Sequence, residues 1–169
     1  FDADGHPVLD LSVDVHEFIE LHNPSANAIS LEGWRLESAV QFTFPRGSFL
    51  SPGGYCVVAA DPGRLLALPG YALDASIVFG PYAGRLGNGG GETVRLRAQD
   101  GIVADAVNYG ASFPWPSGAD ALGASERWTK TTASQTQYRG RSLERVSPAE
   151  ASSSLANWKA SLFPGNPTP

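Results

Sequence analysis

Methionine is absent from all 169 residues, and the chain opens on Phe1 without an initiator. It therefore reads as an excised or processed piece of a longer protein, with any signal peptide outside it. Cysteine occurs once, at Cys56, so no internal disulfide can form. No base lies near it in Tyr55-Cys56-Val57-Val58-Ala59, and a thiolate needs one, so Cys56 reads as a small buried hydrophobe. The 12 basic residues include only two lysines, Lys130 and Lys159. No apolar run approaches the roughly 18 residues that span a bilayer. A net charge of −5 argues against a nucleic-acid partner, because phosphate contacts need a basic face. Basic residues gather only between Arg127 and Arg145. No G-x-S-x-G elbow offers a serine nucleophile.

What the chain has in quantity is turn residues. With 19 glycines and 13 prolines it favours many short strands over long helices. A hydrophobic fraction of 42% with 17% charged residues suits a globular chain. Its length is enough for one domain that buries about 70% of its extended-chain surface.

Asp2, Asp4 and Gly5 lack the further ligands of a calcium loop and read as an acidic turn. Val8, Leu9, Leu11, Val13 and Val15 suggest an entering strand. The stretch from His16 to Leu36 then reads as a strand pair: Glu17 to His22, a turn opened by Asn23-Pro24, and a return through Ile29, Leu31, Trp34 and Leu36. Alternation places Ile19 and Leu21 on the core face with Glu17, and His16, Phe18, Glu20 and His22 on the other. The apolar run Tyr55 to Ala60 predicts a strand covered on both faces. Asp61-Pro62 predicts a helix start, with one short helix over 62–68. The glycine run 87–91 lacks the lysine and Ser/Thr of a phosphate loop and reads as a turn. Glu92 to Arg97 alternates, Val94 and Leu96 in, Arg95 and Arg97 out, and Asp100-Gly101 turns it back through Ile102 to Tyr109. Leu143 begins a later strand, Trp158 an anchor. Many short strands with turns every 8–12 residues or so predict an all-β sandwich or barrel.

Taken in order, Glu17-Phe18-Ile19-Glu20-Leu21-His22-Asn23-Pro24, Leu31-Glu32-Gly33-Trp34, Phe42-Thr43-Phe44-Pro45 and Leu50-Ser51-Pro52-Gly53-Gly54-Tyr55 resemble the lamin tail domain family. The hairpin Glu92 to Tyr109, Ser142-Leu143-Glu144-Arg145, Trp158 and Pro164-Gly165 continue the likeness, which spans about residues 8–166. The resemblance implies an immunoglobulin-like β-sandwich with Ile19, Leu21, Trp34, Val57, Val94, Leu96 and Trp158 in its core. With Pro114-Trp115-Pro116 it is similar to the bacterial branch, found in large exported proteins, which implies an extracellular or cell-envelope location. Residues 1–169 are expected to form one domain, monomeric when isolated. The segment 125–139 departs from the family pattern and reads as an insertion, within which the stretch from Gly123 to Arg127 could form a minor edge strand.

Three functions are open to such a chain. The favoured expectation is a non-catalytic attachment or protein-interaction module without a cofactor. A carbohydrate-binding module would stack sugars on Trp115, Trp128 and Tyr138; against this, Trp115 between two prolines also suits a plug at the sandwich end. A metal-dependent enzyme would use His16, Glu20 and His22, which share a strand face; a solvated face is the competing reading. Glu17, on the core side, calls for a rim position or a partner such as Arg145.

Overall fold

The computed structural model describes residues 17–67, 72–87, 91–110, 114–116 and 142–161. Two sheets face each other across one apolar core. The first places β1 (Phe18–His22) beside β6 (Tyr55–Ala59), and β6 beside β7 (Val78–Phe79). The β1–β6 pair is antiparallel, from Phe18 opposite Ala59 to His22 opposite Tyr55, whereas β7 runs parallel to β6. The second sheet has five strands in the order β10-β9-β3-β4-β8. They are β3 (Arg35–Ser38), β4 (Val40–Thr43), β8 (Ala83–Gly84), β9 (Glu92–Arg97) and β10 (Val103–Tyr109). Two further pairs complete it: β2 (Ile29–Ser30) with β5 (Phe49–Leu50), and β11 (Leu143–Arg145) with β12 (Trp158–Ala160).

The alternation of each strand decides what enters the core. Leu36 and Val40 of the second sheet meet Cys56 and Val58 of the first, with Leu31, Phe44 and Leu50 closing the sides. Half-buried Ile19, Leu21, Trp34, Val94 and Leu96 pack against this cluster. Phe44 sits edge-on to Phe42 and Phe79, at centroid distances of 5.0 and 5.2 Å. The other face of β6 is covered too. Val57 and Ala59 form a second cluster with Leu65, against which Phe18 packs. Leu65 comes from α1 (Pro62–Leu66), whose first turn is capped by the Asp61 carboxylate accepting from the Arg64 N–H at 3.0 Å. Leu68, expected in the same helix, lies outside the described residues.

The segment expected to form a strand pair is instead divided between sheets. β1 pairs with β6, β2 with β5, and β3 with β4 and β9. Asn23 is the physical reason. Buried at the end of β1, its Nδ2 donates to the carbonyls of Asn27, Leu50 and Ser51 at 2.8, 3.1 and 3.0 Å. Its Oδ1 accepts from the amide and hydroxyl of Ser25. The side chain ties the turn to the β5–β6 connection, so the chain crosses over rather than folding back on β1. Gly33, at φ +73°, makes the bend into β3 and donates to Phe44 O.

Candidate functional site

At one end of the sandwich two carboxylates approach from opposite sheets. Glu17 directly precedes β1 on the side of Ile19 and Leu21, and Glu92 opens β9 on the side of Val94 and Leu96. One oxygen of Glu17 accepts from the Tyr82 hydroxyl and the Leu86 N–H, both at 2.9 Å. The matching oxygen of Glu92 accepts from the Gly87 N–H at 2.5 Å and the Tyr109 hydroxyl at 3.0 Å. Consecutive amides of the connection after β8 are thereby held by both sheets. Arg145, the expected partner of Glu17, pairs with Asp105 at 3.0 Å instead, because its strand docks beside β10. Burial first, then the bond to Glu92 and that carboxylate's charge, push the Tyr109 phenol above its ordinary pKa. Both carboxylates act as ties in the fold.

The outer face of β1 holds the residues considered for a metal. Phe18 is covered at the helix end of the strand, while His22 stacks on Tyr55 at 4.3 Å and 20°. Extended backbone puts these ends roughly 13 Å apart, with Glu20 between. His16 lies outside the described residues. Among those described, no group of three or more His, Cys, Asp or Glu side chains is placed to hold a metal ion. Cys56 is buried and free, its thiol pushed up to about 12 by desolvation and then by the Glu20 charge.

Of the aromatics considered for binding, Trp128 and Tyr138 lie outside the described residues. Trp115 is half-buried, its ring 6.2 Å from that of Trp158 and tilted by 51°. Gly110 permits this approach, since a Cβ there would stand 3.1 Å from Trp115 Cδ1. The Trp158 indole N–H donates to Ser152 O at 2.9 Å, and the Ser152 hydroxyl to Ala106 O of β10 at 3.1 Å. Asn157, buried like Asn23, donates to Ser147 O and Glu150 O and accepts from the Ser147 N–H. These bonds, with Arg145–Asp105, fasten the β11–β12 pair to the edge of the five-stranded sheet. The sequence marks Asn23 as opening a turn and Asn157 as part of an anchor with Trp158, but not the long-range bonds of Asn23 to Leu50 and Ser51.

The outer face of that sheet is charged, with Arg35 exposed and Glu37, Arg95 and Arg97 half-buried. Arg35 of β3 lies opposite Arg97 of β9, and Glu37 opposite Arg95. Glu37 reaches diagonally to Arg97 Nε at 2.8 Å and stands 3.6 Å from Arg35 Nε. Arg95 Nη1 donates to the Ser38 hydroxyl at 3.3 Å. The Arg97 hydrogen bond holds the Glu37 carboxyl below its usual range, helped by the charges of Arg97, Arg35 and Arg95.

Residues 2–111 match the family model described as Lamin Tail Domain. The chain belongs to the lamin tail domain family. No curated protein matches it. This lamin tail domain has the all-β, immunoglobulin-like sandwich of its family, with one short α-helix among the described residues. The matched span ends just after β10, so the docked β11–β12 pair lies beyond it.

Proposed function

We propose that this lamin tail domain is a non-catalytic attachment module of an exported bacterial protein. The observation that carries the reading is how polar groups divide across the sandwich. Glu17, Glu92, Tyr82 and Tyr109, the inward groups equipped for acid–base work, hydrogen-bond to one another or to backbone amides. The outward groups Arg35, Glu37, Arg95 and Arg97 stand on paired strands, a rigid platform for a partner. Family membership supports an interaction module on an immunoglobulin-like scaffold, while the partner has to be argued from the surface itself. The β11–β12 pair, fastened to β10, supports a unit that continues past the matched span to Ser161.

Fluorescently labelled protein incubated with bacterial envelope preparations tests this, alongside a panel of chromogenic esters, phosphates and glycosides. Saturable envelope binding without turnover is expected. Absence of binding, or turnover that Glu92→Gln abolishes, would overturn the proposal.

A further inference from the structure

We propose that the outer face of the five-stranded sheet binds an acidic polysaccharide, whose carboxylates are taken by Arg35, Arg95 and Arg97. Charge on this face is unbalanced. Arg35 and Arg97 are direct cross-strand neighbours, and like charges so placed repel. Among the described residues Glu37 is the one carboxylate paired with these guanidiniums, close to Arg97 at 2.8 Å and looser to Arg35 at 3.6 Å, while Arg97 Nη1 also donates to Gly101 O. The face keeps an excess of positive charge although the whole chain carries −5. Neighbouring strands lie about 4.8 Å apart and same-face residues about 6.8 Å apart along each, so the three arginines form an L on fixed backbone, Arg35 across from Arg97 and Arg95 along β9 from it. Arg35 is the most open of them, with 46% of its side chain exposed.

The surroundings select the ligand. Thr43 is opposite Arg35, and Gln41, Thr93 and Asn108 share the face by strand alternation. Their hydroxyl and amide groups suit sugar hydroxyls as hydrogen-bond partners. Ala106, opposite Arg95, keeps the surface low, as an extended polymer needs. A protein interface takes its core from aromatic and other apolar residues, and the strands of this face, among the described residues, contribute small or aliphatic side chains such as Val103, Ala106 and Ala83 and no aromatic one. Duplex nucleic acid draws its affinity from roughly 6–10 phosphate contacts, more than three arginines supply. Recognition here is by charge and hydrogen bonding, independent of Trp115, Trp128 and Tyr138. It deepens the attachment reading by naming what is bound.

The test is affinity electrophoresis through gels containing polygalacturonate, with neutral dextran as reference. The protein is expected to be retarded by polygalacturonate alone, and progressively less as salt rises. Arg35→Gln with Arg95→Gln, which leaves the Arg97–Glu37 pair in place, is expected to weaken binding about tenfold or more. Glu37→Gln, checked by circular dichroism for retention of fold, is expected to tighten it. Arg64→Gln on α1 serves as the control and is expected to leave binding unchanged. Equal retardation by dextran, indifference to the arginine pair, an Arg64→Gln effect as large, or equally effective competition by duplex DNA would each overturn the proposal. A protein that binds envelopes but ignores polygalacturonate overturns this inference and leaves attachment standing.

Discussion

Leu86 and Gly87 are neighbours in sequence whose amides serve opposite sheets, the first donating to Glu17 and the second to Glu92. The two carboxylates therefore close one end of the sandwich through main chain rather than through each other. Their negative charge is met by N–H and O–H dipoles, a compensation that charge-assisted hydrogen bonds supply at about 1.5–3 kcal/mol each.

Tyr109 should report on this end. Its phenol is raised by burial and by Glu92, so the stability it contributes is fully present below the ordinary tyrosine value of about 10. That contribution is lost as pH rises through the raised folded value. Ultraviolet difference titration, compared with Tyr109→Phe, should show that Tyr109 resists ionisation. Glu92→Gln should lower that tyrosine's pKa without restoring the ordinary value, because burial is the larger cause, and should cost about 1–2 kcal/mol in urea unfolding. A Tyr109 titration unchanged by Glu92→Gln would contradict the assignment.

Asn23→Ala should destabilise the domain by about 2–3 kcal/mol, since it removes the donor to three carbonyls and the acceptor for Ser25. Asn23→Asp should be no better. A carboxylate keeps the acceptor side but cannot donate to Asn27, Leu50 and Ser51. Urea denaturation of the two variants checks this, and a near-neutral Asn23→Asp would contradict the account.

These asparagine contacts also mark where the sequence stops being informative. The β9–β10 hairpin is legible because Val94 and Leu96 alternate with Arg95 and Arg97 before Asp100-Gly101. The two covered faces of β6 are legible in its unbroken apolar run. The pairing of β1 and β3 with different partners is not, because it depends on Asn23 reaching Leu50 and Ser51, 27 and 28 residues away. Alternation states which face a residue takes and is silent on which strand lies beside it. The candidate sites divide in the same way. Arg95 and Arg97 read as outward, but the register that sets Arg35 against Arg97 is a long-range fact. The partners of Glu17 and Glu92 include backbone amides, which every residue but proline carries, so no residue type announces them.

Cys56 should be inert in the folded protein. It is 1% exposed, and its thiol is raised to about 12 from 9.0. Its contribution to stability is therefore intact below about pH 9 and is lost as pH rises through the folded value. A chromogenic disulfide reagent at neutral pH should label it only at the rate of unfolding, and full labelling in denaturant should follow at once. Rapid labelling of native protein would contradict its place between the sheets.

Trp115→Ala should lower thermal stability, by about 1–3 kcal/mol, because the ring packs on Trp158 and over Gly110. Polygalacturonate retardation should be unchanged in this variant at temperatures where it remains folded. A stable Trp115→Ala protein that no longer binds would return the function to the aromatics.

Attachment itself is tested most directly by fusing this chain to a fluorescent carrier protein and measuring the fraction retained on washed bacterial cells. The fusion is expected to be retained and the carrier alone washed away, with retention reduced by Arg35→Gln with Arg95→Gln. Equal loss of fusion and carrier into the wash would contradict it.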